Sequence, residues 1–136
     1  MPANTAPIFP ITPNTPVGKT ILTANTAQDG TGTVVTLFTA GANGGRVDYI
    51  KFMPIGTNVA TVARVFINNG LTTATAANNA QFAQITLPAS TISQTAALTE
   101  QLLTLNLSIP AGYILTLAIG TTVAAGYAVT AVGGDY

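Results

Sequence analysis

The stretch of sequence that decides the fold is residues 101–119, QLLTLNLSIPAGYILTLAI. Large apolar residues alternate with polar ones over residues 101–109, and large apolar residues again occupy every second position over residues 113–119. A period of two places such residues on one face of a β-strand. The Pro-Ala-Gly at 110–112 is a turn signal, and jelly-roll domains use such a corner to carry the chain from one sheet toward the other. We therefore expect two strands that share one core and lie in opposite sheets.

Similar short runs extend outward in both directions and are separated by turns rich in glycine and asparagine. They occupy residues 19–24, 33–39, 46–55, 60–67, 81–87 and 126–132. About eight short strands at regular spacing are typical of an all-β sandwich or barrel. The chain has no Trp, which an immunoglobulin-like sandwich usually buries in its core. The sequence therefore predicts a jelly-roll-like β-sandwich over residues 19–136.

The N-terminal 18 residues differ from this body. Five of the eight prolines lie within residues 1–16, and from Pro7 to Pro16 they recur at every third position. That spacing favours an extended, polyproline-like conformation. Apolar residues lie among the prolines and would anchor the segment either to its own domain or to a neighbour. We therefore predict an extended arm over residues 1–18 that binds a partner through Ile8, Phe9, Pro10 and Ile11.

The composition argues against a catalytic or metal-binding function. Only 6% of the residues are charged, against about 25% in an average soluble domain, and the chain has no His and no Cys. General acid–base catalysis and soft-metal ligation draw mainly on those residue types and on clustered carboxylates. The four acidic residues are scattered singly along the chain. We therefore expect no catalytic residues, no cofactor and no metal site, and we predict that the protein is not an enzyme.

The charge balance also bears on partners. The formal net charge is zero and no basic cluster is present, so neither nucleic acid nor a membrane is expected as a partner. A polar surface of hydroxyls and amides is buried at lower cost than a charged one, which favours assembly with other proteins. Arg46, Asp48 and Arg64 are candidate interface charges. Asp48 is expected to pair with Arg46 along its own strand, or with Arg64 if their strands are neighbours.

The whole chain resembles small virion proteins of tailed bacteriophages, and is most similar in character to capsid decoration (cement) proteins. The features that carry the resemblance are the proline-spaced arm at residues 2–16, the β-body, and the end GYAVTAVGGDY at residues 126–136. The resemblance implies a β-sandwich or barrel body, an extended N-terminal arm that lies on the capsid lattice, and assembly as a homotrimer. The neutral surface departs from the more acidic surface of some cement proteins.

The expectation that follows is a structural protein, made in the host cytoplasm and located on the outer capsid surface of the virion. Its partners would be the major capsid protein and two further copies of itself, and it would stabilise the shell. The alternative is a receptor- or carbohydrate-binding β-sandwich module in a phage tail, fibre or neck.

Overall fold

A computed structural model describes residues 9–136 and builds them almost entirely from β-strands. The described part of the chain contains no α-helix and one short 3₁₀ helix, Ala76–Asn78. In chain order the strands are β1 (Thr12–Asn14), β2 (Thr20–Ile21), β3 (Val35–Thr39), β4 (Gly45–Pro54), β5 (Thr61–Asn68), β6 (Asn79–Leu87), β7 (Gln101–Ile109), β8 (Ile114–Ile119) and β9 (Tyr127–Asp135). Every run of alternating residues identified in the sequence contributes a strand.

The strands form two antiparallel sheets that pack face to face. The first sheet has the order β1-β9-β4-β7, with β2 also paired to β9, and the second has the order β3-β8-β5-β6. Successive strands from β6 to β9 alternate between the sheets, which is the interleaving of a jelly roll. The predicted fold class is therefore confirmed. The described chain has nine strands rather than about eight because β1 and β2 pair with successive parts of β9.

The corner at Pro110-Ala111-Gly112 joins the two sheets, as its sequence predicted. β7 ends at Ile109 in the first sheet, and β8 begins at Ile114 in the second. The turn is closed by the Tyr113 amide, which donates to the Pro110 carbonyl at 3.2 Å. Gly112 has a φ of +73°, a left-handed conformation that glycine adopts without steric cost.

The core lies between the sheets, and β7 and β8 contribute to it unequally. Leu115, Leu117 and Ile119 of β8 are fully buried, because β8 is an inner strand of its sheet. The inward-facing leucines of β7, at 103, 105 and 107, are only partly buried because β7 is an edge strand. Alternation predicted the faces of both strands correctly, but it could not distinguish an edge strand from a central one.

The second face of β8 is also buried, contrary to the simple alternating pattern. Thr116 and Ala118 have no solvent-exposed surface, and the Thr116 hydroxyl has no hydrogen-bond partner among the described residues. The segment at residues 24–33 runs along the second sheet, from the Ile119 end of β8 to the start of β6. It begins where the Asn25 amide donates to the Ile119 carbonyl at 2.7 Å, and Gly30 packs against Asn79 at the opposite end of the sheet.

A β-bulge in β4 changes which side chains reach the core. Val47 is opposite Gly133 of β9, but Tyr49 is opposite Val132, so Asp48 is an extra residue in β4. One extra residue reverses the faces of all that follow it. Strict alternation from Val47 would place Tyr49 and Met53 on the same face as Val47. That grouping is wrong: Val47, Ile50 and Phe52 are fully buried, whereas Tyr49 and Met53 are exposed.

Candidate interaction surface

Part of the predicted arm is a strand of the body itself. Thr12–Asn14 forms β1, which pairs with the C-terminal residues of β9, and the Ile11 amide donates to the Asp135 carbonyl at 2.8 Å. Pro13 is tolerated there because β1 lies at the edge of its sheet and need not donate to a further strand. Ile8 lies outside the described residues. The arm is thus attached to the body immediately after Phe9 and Pro10.

Side-chain hydrogen bonds reinforce this attachment. Asn14 Nδ2 donates to Asp135 Oδ2 at 3.0 Å and to the Thr39 carbonyl at 3.2 Å. Asp135 Oδ1 accepts from the Gly41 amide at 2.9 Å. A single carboxylate therefore holds the arm and the turn after β3 to the end of β9. These bonds fix the position of β1 at the edge of the first sheet.

The arm presents large apolar side chains to solvent. Phe9 is 73% exposed, Ile11 is 82% exposed and Val17 is 81% exposed. They lie before and after β1, so the strand holds them at the surface rather than burying them. Apolar residues fixed in an exposed position on an attached segment provide a ready docking surface.

Arg46 and Asp48 form the ion pair that the sequence suggested. Arg46 Nε lies 2.7 Å from Asp48 Oδ1, and both side chains are partly exposed, at 34% and 46%. The hydrogen bond to Asp48 raises the pKa of Arg46. Arg46 Nη2 also donates to Asn106 Oδ1 of β7 at 3.3 Å. The pair is therefore held on the outer face of the first sheet by both its own strand and the next one.

The structure brings two of the predicted arm residues, Phe9 and Pro10, beside this ion pair. Phe9, Pro10, Arg46 and Asp48 line one cleft of about 360 Å³. We call Phe9, Pro10, Ile11, Arg46 and Asp48 the arm surface. It combines exposed apolar side chains with one satisfied ion pair, the composition typical of a protein–protein contact.

Arg64 does not belong to this surface. It lies on β5 in the second sheet, whereas Asp48 lies on β4 in the first, so their strands are not neighbours. The alternative pairing of Asp48 with Arg64 is therefore wrong. Arg64 Nη1 instead donates to the Asn25 carbonyl at 3.3 Å.

Two polar features were missed by the sequence analysis. Lys51 Nζ lies 2.6 Å from Glu100 Oε2, which raises the pKa of Lys51. Asn58 is almost fully buried, and its side chain bonds to the connections that precede β7 and β9. No local pattern distinguishes Asn58 from the exposed asparagines in other turns. Asn58 matters for the fold only because connections that are distant in the sequence meet at its side chain.

A second cleft, of about 340 Å³, lies at the end of the sandwich where β4 ends and β9 begins. Tyr127 lines it, but this ring is fully buried and its hydroxyl donates to the Pro88 carbonyl at 3.0 Å. Burial raises the pKa of Tyr127. The remaining lining comes from residues 88–91, 97–99 and 101 together with Pro54. This cleft therefore offers hydroxyls and amides but no exposed aromatic ring on which a sugar would stack.

Comparisons with protein-family models, curated proteins and solved structures found no match for this chain. Among residues 9–136, no three acidic side chains come together as a set able to ligate a metal ion. No helix in the same part of the chain is long and apolar enough to cross a membrane.

Proposed function

We propose that this protein is a structural virion protein that binds the outer surface of a capsid and stabilises the shell, as a homotrimer. The major capsid protein would be its partner, and the arm surface would make the contact. The observation that supports this most directly is the arm itself: it is fixed to the first sheet by β1, yet Phe9 and Ile11 remain largely exposed. The same body without exposed arm residues would give no reason to expect a docking role.

The energetics favour such a contact. Burying one Phe or Ile side chain contributes roughly 1.5–3 kcal/mol. The arm is already attached by β1, so less chain entropy is lost when its first residues bind a partner. The Arg46–Asp48 pair is already satisfied within the chain, so covering it leaves no isolated charge. The arm surface is therefore suited to binding an apolar groove on a shell subunit.

Self-association would use the flank formed by β6 and β7, the edge strands on one side of the sandwich. Each strand has nine residues, and neither contains a charged residue or a proline. Charged residues and prolines are the features that usually prevent an exposed edge strand from pairing with another chain. Inward-facing apolar residues on this flank are only partly buried, among them Ile85 and Leu105. Because β6 and β7 differ, the β6 edge of one copy would meet the β7 edge of the next, a head-to-tail contact that closes into a ring.

The location of the protein is tested by electron microscopy of virions from the phage that carries its gene, with gold-labelled antibody against this chain. We expect label over the whole head surface. Label confined to the tail, fibres or neck would reject the capsid role and favour the receptor- or carbohydrate-binding alternative, which a glycan array would then examine. Virions without label would reject both.

Arm binding is tested by Phe9→Ser and Ile11→Ser, measured by co-sedimentation with shells that lack this protein. We expect each substitution to weaken binding by about ten-fold or more, since about 1.4 kcal/mol corresponds to a factor of ten. Leu71→Ser, at another exposed apolar position, is the matched control and should bind normally. These point variants are preferable to removal of residues 1–17, which would also remove β1. Equal binding by all three variants would contradict the arm hypothesis.

Trimer formation is tested by light scattering of the purified protein. We expect a mass close to three times the 13.7 kDa of one chain. Gln84→Lys places a charge on the exposed side of β6 and should lower the measured mass toward that of one chain. Gln28→Lys adds the same charge outside the flank and should not. A monomer in the unchanged protein at micromolar concentration would argue against a trimer formed before shell binding.

A further inference from the structure

A cleft on the outer face of the second sheet surrounds Arg64, on a different sheet from the arm surface. Its volume is about 320 Å³. The lining residues are Ala60, Thr61, Val62, Arg64, Thr86, Gly120 and Thr121. Arg64 is the one charged residue among them, and the others are small, apolar or hydroxyl-bearing. The cleft therefore offers a single guanidinium in otherwise neutral surroundings.

No acidic side chain of the protein neutralises Arg64 in the structure. The sequence has four acidic residues, and all are among the described residues. Asp48 and Glu100 form ion pairs with Arg46 and Lys51. The other two are engaged elsewhere: Asp29 accepts from Thr31, and Asp135 accepts from Asn14. A chain with so few charges thus leaves one arginine without an anionic partner.

The guanidinium is nevertheless held in place. Arg64 Nη1 donates to the Asn25 carbonyl at 3.3 Å, and both Nη atoms lie 3.4 Å from the position a Cβ on Gly120 would take. Arg64 Nε is buried and has no hydrogen-bond partner among the described residues. Buried donors without partners are rare in folded proteins. A side chain that is already ordered also loses less freedom when a ligand binds.

We propose that Arg64 forms a binding site for a single carboxylate group of a partner protein. A guanidinium presents parallel N–H donors that match the two oxygens of a carboxylate. Ala60 and Val62 would contact the aliphatic part of a Glu or Asp side chain. Nucleic acid fits poorly, because its binding needs several cations along a phosphate backbone and this cleft has one. The site goes beyond the arm contact and does not depend on the virion role.

The test is side-chain NMR of the full chain during titration with glutarate at constant ionic strength. The protein has two arginines, so Arg64 and Arg46 give two Nε–Hε signals, and Arg46, already bonded to Asp48, is an internal control. We expect a saturable shift of the Arg64 signal and no comparable shift of the Arg46 signal. The uncharged analogue glutaramide should shift neither. Backbone amide signals of Thr86 and Thr121 should follow the Arg64 signal.

Arg64→Lys keeps the charge but removes the planar fork. We expect it to weaken glutarate binding by about ten-fold or more, as followed by the Thr86 and Thr121 amides, while the rest of the spectrum stays folded. Equal shifts at both arginines, a response that does not saturate, or an equal response to glutaramide would overturn the proposal. Tighter binding of inorganic phosphate than of glutarate would overturn the assignment to a carboxylate.

Discussion

Replacing Asn58 with alanine is expected to lower the free energy of unfolding by about 3 kcal/mol or more. Asn58 Oδ1 accepts from the Ala125 and Gly126 amides at 2.9 and 2.8 Å, and Nδ2 donates to the Gly126 carbonyl at 2.9 Å. The alanine side chain leaves these groups without partners, and each buried unpaired polar group costs about 1–3 kcal/mol. Thermal unfolding of the purified variant followed by circular dichroism measures the loss.

The reason for so large an effect is that Asn58 joins three connections at one end of the sandwich. Its backbone pairs with Ser90 before β7, and its side chain holds the segment that leads into β9. Asn43→Ala is the matched control, because Asn43 is exposed and makes one long bond, at 3.4 Å to the Tyr136 carbonyl. We expect that control to change stability by less than about 0.5 kcal/mol. Similar losses in the two variants would show that the loops are held by something other than Asn58.

Replacing Gly133 with alanine is expected to be at least as damaging, for a steric reason. A Cβ at Gly133 would overlap the backbone oxygen of Arg46 and come within 2.9 Å of Val47 Cα. Both obstacles are main-chain atoms of β4, so the two central strands of the first sheet must separate. We expect a loss of about 3 kcal/mol or more, or a failure to accumulate as folded protein. Soluble yield and thermal unfolding together measure either result.

Gly120→Ala provides the control for Gly133→Ala. A Cβ at Gly120 meets its nearest atoms, Arg64 Nη1 and Nη2, at 3.4 Å, which is ordinary van der Waals contact and displaces no main-chain atom. We expect this variant to unfold within about 1 kcal/mol of the unchanged protein, because the substitution also reduces the freedom of the unfolded chain. If Gly133→Ala were equally mild, the pairing of β4 with β9 at the Asp48 bulge would be wrong.

The Gly133 contact also links the stability of the first sheet to the arm surface. The close approach of β4 and β9 occurs beside Asp48, the extra residue of β4, which pairs with Arg46 and lines the cleft beside Phe9. A variant that opens the strands here would therefore disturb the arm surface as well. Shell binding should accordingly be compared only among variants that remain folded.

Several features of this protein were determined by local sequence. The alternation in residues 101–109 and 113–119 predicted which side chains of β7 and β8 face the core, because successive strand residues point to opposite faces. The Pro-Ala-Gly corner predicted the passage between sheets. Arg46 and Asp48 pair because they are two residues apart on one strand. Each of these depends on residues close together in the chain.

Other features were decided only by tertiary structure, because they depend on which distant segments meet. Thr116 is fully buried although alternation places it on the outer face of β8, and Leu105 is only partly buried because β7 lies at an edge. The bulge at Asp48 becomes apparent only in the pairing of β4 with β9 and β7, both of which shift register between Val47 and Tyr49, and it reverses the faces of Tyr49 and Met53. Asn58 and Arg64 resemble ordinary polar residues until loop and sheet contacts define their surroundings. Alternation is a property of one strand, whereas burial depends on every neighbour that the fold brings to it.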